Sequence, residues 1–269
     1  MFETNRTLFN MNVDIVLYDV TTFHFESQRA DELRDYGFSK ANKINEVQVV
    51  MGLLVDNEGR PIGYELFPGN TFDGKTMLKV LQKLKQNYKL NQVIIVADKG
   101  LNSKINLKDI KEAGFDYIVS ARIKNMPNKI QEAILSDAGY QTLTTYDKEG
   151  EYKYKTIDYV NNFQIELEDG TDNKTTKEKI CLTEKLVCSY STSREKKDES
   201  DRQRGIEKAN KLIASNNSSE LRNKKGYKKY ILTKGQKEQV TEMYLDKKRI
   251  EKEERFDGYY AIEYSKLTM

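Results

Sequence analysis

VIIVADKGL, residues 93–101, is the stretch that decides the fold. Its run of branched apolar residues predicts a short strand that is buried on both faces and ends on Asp98, before a glycine and a helix start. In open α/β sheets, ligands bind beyond the carboxyl ends of the strands, because the strand holds its last side chain rigidly while the loops leave room. The pattern therefore predicts a functional carboxylate at Asp98.

A second stretch, VDIVLYD at residues 13–19, repeats this design and ends on Asp19. The predicted first strand covers Val13 to Tyr18, and an extension through Phe25 is the alternative. Two strands of this kind bring Asp19 and Asp98 together if they lie side by side and run parallel. Both carboxylates have a plainer explanation as residues that cap the loops after their strands.

The segments around these strands supply the rest of a sheet. Apolar runs at 47–55 and 61–67 flank a turn of Asp, Asn and Gly, which predicts a hairpin. Helical spacing predicts a helix over 74–86 and a single turn within 30–36.

Ser103 is the predicted N-cap of a further helix, which ends at Gly114, and a last strand covers 115–121. The order is three strands, helix, strand, helix, strand. It predicts an α/β fold with a ribonuclease-H-like core, a mixed sheet whose first and fourth strands are adjacent. We expect this core to cover residues 12–122.

Beyond Arg122, tyrosines and other apolar residues alternate with charged ones. This pattern predicts a β-rich insertion domain over residues 123–264, with a charged helix over 194–213. Residues 222–237 carry seven basic residues and no acid, interleaved with tyrosines. Such a run can follow a phosphate backbone, although a charge run is also typical of a solvated surface.

The composition excludes several classes of protein. The 45 Lys and Arg residues nearly balance 42 Asp and Glu residues, so the net charge of +3 indicates no particular partner. No apolar run is long enough to cross a bilayer, and we expect no membrane and no small-molecule substrate. Cys181 and Cys188 have no other metal-ligating residues around them, which favours reduced cysteines in the cytoplasm.

Six motifs together resemble the DDE-type bacterial insertion-sequence transposases, in particular the IS-four-like group with a β-strand insertion. They occur in the order and approximate spacing of that family and span nearly the whole chain. They are YDVTT (18–22), GFSK (37–40), VMGLLVD (50–56), PGNT (68–71) followed by Asp73 and Thr76, ADKG (97–100) and RFDGYYAI (255–262).

The resemblance implies metal-dependent DNA strand cleavage and transfer. Asp19 and Asp98 would be the first two catalytic, metal-binding acids, with two Mg²⁺ ions in the complete enzyme and Mn²⁺ able to substitute. The third acid of the family lies in the pattern Tyr, two residues, Arg, three residues, Glu, six residues, Lys. No tyrosine in this sequence has an arginine three positions on, so no third catalytic acid is found.

The resemblance also implies that the chain is truncated at both ends. Without the helix that carries the third acid, we expect one face of the sheet to be exposed and the isolated chain to have weak or no activity. Expected partners are double-stranded DNA, as transposon ends and target, and a second copy in a homo-oligomer. The expected location is the bacterial cytoplasm, at the nucleoid when DNA is bound. Candidate DNA-binding residues are Lys40, Lys99, Arg222, Lys224, Lys225, Lys228 and Lys229, each of which is otherwise an ordinary solvated side chain.

Two other functions stay open at this stage. The first is a non-catalytic remnant that binds DNA or inhibits a full-length transposase. The second is a ribonuclease-H-like nuclease unrelated to mobile elements, which the predicted insertion disfavours.

Overall fold

The computed structural model describes residues 15–37, 46–71, 76–88, 93–143, 150–168, 175–216, 221, 226–236 and 239–265. The chain forms two compact units. The first unit comprises Met1–Arg122, Asp158–Leu186 and Ile262–Met269, and the second comprises Ile123–Ile157 and Val187–Ala261. The predicted division into a core over 12–122 and an insertion over 123–264 stays a prediction.

The first unit is built on a mixed sheet. Three of its strands, β7 (Tyr152–Glu168), β8 (Thr175–Ser191) and β11 (Tyr259–Ser265), also contribute residues to the second unit. The elements that lie entirely within the first unit are β1 (Ile15–Phe25), β2 (Val47–Val55), β3 (Pro61–Pro68), helix α1 (Met77–Tyr88), β4 (Ile94–Ala97), helix α2 (Lys104–Glu112) and β5 (Asp116–Ser120).

The strand order confirms the predicted ribonuclease-H-like arrangement. In the first unit the strands lie in the order β3, β2, β1, β4, β5, β11, β8, β7. The first three strands are antiparallel neighbours, whereas β4 runs parallel to both β1 and β5. The first and fourth strands are therefore adjacent and parallel, and helix α1 connects β3 to β4.

The structure decides between the two predicted ends of the first strand and corrects the prediction for residues 30–36. The first strand continues past Tyr18 to Phe25, because its second half pairs with β2 after the pairing with β4 has ended. The predicted helical turn within 30–36 is wrong. The Asp31 carboxylate accepts hydrogen bonds from the amides of Leu33 and Arg34, and Asp35 then forms a bridge with Gln48.

The two faces of this sheet differ in burial. Side chains on one face, such as Val16, Tyr18 and Ile95, pack with residues of α1 and α2 in the main hydrophobic core. The opposite face of β1 carries Leu17 and Phe23, which are 38% and 47% exposed. This face of β1 is therefore partly open to solvent, and the expected exposure of the whole sheet face stays a prediction.

The second unit contains a smaller core around a long helix. Helix α4 (Thr192–Ser215) confirms the predicted charged helix, and its Ala209 and Leu212 pack against Tyr230 and Met243. Helix α3 (Asn128–Leu135) was not predicted, although Ile130 and Ile134 have helical spacing. The other elements of this unit are β6 (Gln141–Thr142), β9 (Ile231–Gln236), β10 (Gln239–Leu245) and helix α5 (Lys247–Glu254). Among the helices that the structure describes, none is long and apolar enough to span a bilayer.

Glu184 on β8 and Glu263 on β11 are buried carboxylates of the first unit. The Tyr117 hydroxyl donates a hydrogen bond to Glu184, and the Asn102 side-chain amide donates one to Glu263. Burial, and then the neighbouring Glu184, raises the pKa of Glu263 to about 8, against the opposing effects of Asn102 and Arg122. Burial likewise raises the pKa of Glu184. Glu263 therefore favours the neutral form at neutral pH.

We predict that stability falls as the pH rises from about 4.5, the ordinary value for glutamate, to about 8. In this window the folded chain keeps the Glu263 proton that the unfolded chain releases, so raising the pH favours unfolding. Each unit of pKa difference corresponds to about 1.4 kcal/mol, which makes the total loss a few kcal/mol. Urea denaturation across this window measures the slope. Glu263→Gln should flatten it, whereas Glu26→Gln, at an exposed site, should not; equal slopes in all three proteins would contradict the prediction.

Candidate metal centre

The pairing of β1 with β4 brings Asp19 and Asp98 to the same level of the sheet. The last parallel pair is Tyr18 with Ala97, and each aspartate is the next residue along its strand. Both side chains line one open depression of about 220 Å³, together with Leu17, Leu53, Val55 and Val96 among other residues. The sequence prediction that these two acids lie together agrees with this geometry, and their chemical role stays a prediction.

The Asp98 carboxylate is held by the turn that it begins. Its Oδ1 atom accepts hydrogen bonds from the amides of Gly100, at 2.6 Å, and Leu101, at 3.3 Å. The loop-capping explanation is therefore correct for Oδ1. Oδ2 makes no hydrogen bond with the described residues, so it is the atom that this turn leaves for a ligand.

Side chains outside the turn also hold its backbone in place. Ser103 caps helix α2 by accepting a hydrogen bond from the Asn106 amide, as predicted. The Asn106 side chain donates to the Leu101 carbonyl at 2.8 Å, and Arg122 donates to the Lys99 carbonyl at 3.0 Å. These anchors were not predicted from the sequence, because a single polar residue in a helix or after a strand has no periodic signal.

Asp19 lies in a different setting, within a continuous strand. It pairs with Leu53 of β2 on one side, and it shares the exposed face of β1 with Leu17. The Asp19 carboxylate makes no hydrogen bond or ion pair with the part of the chain that the structure describes. It is therefore an exposed oxygen donor on a backbone that the sheet holds in place.

The donor set fits a hard divalent cation. Mg²⁺ prefers carboxylate oxygens, keeps several waters, and is usually bound through one or two carboxylates together with substrate phosphates. Asp19 and the free Oδ2 of Asp98 provide such a pair. Within the described ranges, no three His, Cys, Asp or Glu side chains are grouped so that they could hold a metal ion. A cation held by this pair would therefore keep coordination positions open for water or a phosphate.

The predicted DNA-binding lysines are partly engaged within the protein. Lys99 is exposed in the turn beside Asp98. Lys229 contacts Glu253 at 2.6 Å. Burial alone would raise the pKa of Glu253, but hydrogen bonds from Lys229 and Tyr230 hold it below its usual value. Lys228 lies in the same helical turn, whereas Lys40, Arg222, Lys224 and Lys225 lie outside the described residues.

Comparison with known proteins gives one family. Residues 13–256 match the family described as Transposase DDE domain. No curated protein sequence matches the chain. A cryo-EM structure of the piggyBac transposase synaptic complex with hairpin DNA is similar at 12% identity and a TM-score of 0.34, over 57% of this chain. The chain spans 35% of the length of that protein.

We predict that Gly100→Ala displaces the Asp98 carboxylate. A Cβ atom at residue 100 would lie 3.0 Å from Asp98 Oδ1, which is closer than a normal contact. The carboxylate must then shift and weaken its bonds to the two turn amides, at about 1 kcal/mol of local stability. Hydrogen exchange at the Leu101 amide should become roughly fivefold faster. Lys99→Ala, which adds no atom near the carboxylate, is the control, and equal exchange in Gly100→Ala and the wild type would refute the prediction.

Proposed function

The chain belongs to the Transposase DDE domain family, and from this we propose that it cleaves and joins DNA strands at a divalent-metal centre on Asp19 and Asp98. The observation that carries the proposal is the placement of both carboxylates one residue beyond the Tyr18–Ala97 pair. Both acids lie on rigid backbone. Asp19 lies inside a strand, and Asp98 begins a hydrogen-bonded turn. Rigid placement of metal ligands is what phosphoryl chemistry requires of the protein.

The two aspartates have complementary tasks in this proposal. Bound Mg²⁺ would supply Lewis-acid stabilisation of the attacking and leaving oxygens of a phosphodiester. Asp19 holds its carboxylate outward from a paired strand. Asp98 offers Oδ2, because the Gly100 and Leu101 amides occupy Oδ1. The protein thereby fixes two oxygen donors before the substrate arrives.

The open shape of the site favours a large substrate. The depression of about 220 Å³ is smaller than the clefts of roughly 300–1,000 Å³ that enclose small-molecule ligands. Double-stranded DNA presents its phosphates at its surface and can reach such a site without being enclosed. Lys99, one residue from Asp98 and exposed, would contact a neighbouring phosphate in this proposal.

The proposed substrates are the ends of a bacterial insertion sequence and its target DNA. The proposed metal is Mg²⁺, with Mn²⁺ as a substitute, and the proposed place of action is the bacterial nucleoid. A second copy of the chain would act at the other transposon end. The predicted DNA contacts of the basic residues belong to this proposal as well.

A second candidate function is DNA binding without catalysis. The observation in its favour is that the described residues provide two carboxylates at the site and no third acid. Two carboxylates hold a metal pair weakly, so the isolated chain would retain DNA affinity and lose most activity. Metal-dependent nicking separates this candidate from the first.

We predict that supercoiled plasmid is nicked slowly by the purified chain in Mn²⁺, and that Asp19→Asn or Asp98→Asn abolishes the nicking. Each substitution removes a charged metal ligand and keeps the side-chain size, so activity should fall more than about tenfold. Asp158→Asn, which alters an exposed carboxylate elsewhere in the first unit, is the matched control. Gel analysis of nicked circles gives the rate.

Mn²⁺ binding measured by electron paramagnetic resonance provides the second readout. It should weaken in both site variants and stay unchanged in the control. DNA binding without nicking and without Mn²⁺ binding would overturn the catalytic proposal in favour of the non-catalytic one. Nicking that persists in Asp98→Asn would place the chemistry elsewhere.

A further inference from the structure

Asn102 links the Asp98 turn to a distant strand. This residue lies four positions after Asp98 and is 8% exposed. Its side-chain nitrogen donates one hydrogen bond to the Ser120 carbonyl, at 2.8 Å, and another to Glu263 Oε1, at 2.6 Å. Both protons of the amide are therefore used, one on β5 and one on β11.

Glu263 is placed by the sheet itself. It pairs with Val119 of β5, which in turn pairs with Ala97, the last residue of β4. Because residues in register share a face, Glu263 lies on the covered face with Ala97 and Tyr18, whereas Asp19, the next residue of β1, faces the other way. Glu263 is also 3% exposed. It is therefore not a third metal ligand.

We propose that Asn102 and Glu263 are positioning residues, and that their buried hydrogen bond holds the turn that presents Asp98. The inference rests on the proposed function only for the metal-binding role of Asp98, since the hydrogen bonds that hold the turn do not depend on that role. A buried amide and a buried carboxyl are each unfavourable without a partner. The Asn102 amide and the Glu263 carboxyl form their hydrogen bond when the turn packs against β5 and β11. Displacing the turn would therefore leave both buried groups without this hydrogen bond.

The remaining anchors of the turn are closer in sequence. Asn106 and Ser103 belong to the helix that follows the turn, and Arg122 lies just after β5. The Asn102–Glu263 bond instead joins residues 161 positions apart. It thus makes the position of Asp98 depend on β11, a strand from a distant part of the sequence.

The surroundings of Glu263 support a neutral hydrogen-bonding role. The titratable or charged groups that interact with it among the described residues are Glu184 on β8, Arg122 after β5, Tyr117 on β5 and Tyr159 on β7. Burial, and then Glu184, raises the pKa of Glu263 to about 8, against the opposing effects of Asn102 and Arg122. Glutamine, which is neutral and keeps the Oε1 acceptor, should therefore replace Glu263 in this role, whereas methionine, of similar length, should not.

The test compares amide hydrogen exchange at Gly100, whose proton is donated to Asp98 Oδ1, and at Leu101, whose proton is shared between Asp98 Oδ1 and the Asp98 carbonyl. Asn102→Ala and Glu263→Met should each increase exchange at these two amides about tenfold or more, because each leaves at least one buried partner without its hydrogen bond. Glu263→Gln should leave exchange near the wild-type rate.

Ser265→Ala is the matched control. Ser265 lies on the same strand, is 2% exposed, and accepts a hydrogen bond from the Tyr117 amide, but it does not contact the turn. It should lower global stability without selective change at Gly100 and Leu101. The proposal is overturned if Ser265→Ala accelerates these amides as much as Asn102→Ala, or if Glu263→Gln behaves like Glu263→Met.

Mn²⁺ affinity distinguishes a failure of this inference from a failure of the proposed function. Loss of a residue that orients a ligand typically weakens metal binding about 10- to 100-fold. We expect that loss in Asn102→Ala and Glu263→Met and recovery in Glu263→Gln. If exchange follows the expected pattern while the wild-type chain binds no Mn²⁺, the positioning role stands and the metal site fails. If Mn²⁺ binds equally to all variants with unchanged exchange, the positioning role fails and the metal site stands.

Discussion

The parallel pairing of β1 with β4 is the constraint on which the candidate site depends. Four residue pairs, from Ile15–Ile94 to Tyr18–Ala97, set the register. A shift of one residue would turn one aspartate from the exposed face of its strand to the covered face, because successive side chains alternate. The register is protected by what lies on the covered face, where Val16, Tyr18 and Ile95 are almost completely buried. Core packing thus fixes the relative level of the two acids.

The two aspartates reach the same place by different structural means. Asp19 relies on the hydrogen bonds of the sheet, since β1 continues past it and pairs with β2. Asp98 relies on a turn, which must be held by side chains because β4 ends at Ala97. A turn is more easily displaced than a paired strand, since fewer backbone hydrogen bonds fix it. This difference explains why buried polar anchors gather around Asp98 and not around Asp19.

The sequence predicted the parts of this arrangement that depend on local pattern. The apolar run before Asp98, the hairpin of β2 and β3 and the cap at Ser103 each have a short-range signal, and the strand order followed from them. The helical turn within 30–36 failed because Asp31 and Gln48 offered the backbone other hydrogen bonds. Helix α3 was overlooked, since its two isoleucines are a weak amphipathic signal. The contact between Asn102 and Glu263 could not be predicted, because a polar pair 161 residues apart leaves no periodicity in the sequence.

A buried glutamate is a poor choice for stability and a good one for specificity. An apolar residue at position 263 would pack in the covered face without the desolvation that raises the pKa of Glu263. An apolar residue would, however, allow the turn to pack in several positions, because apolar contacts have little directional preference. A hydrogen bond of 2.6 Å to Asn102 is satisfied in one position only. In the proposed function, where Asp98 is a metal ligand, a single position of the turn matters more than the strength of its attachment, since ligand geometry limits how well a divalent ion is held. The buried acid is therefore best understood as a part of the site, although it lies on the opposite face of the sheet from Asp19.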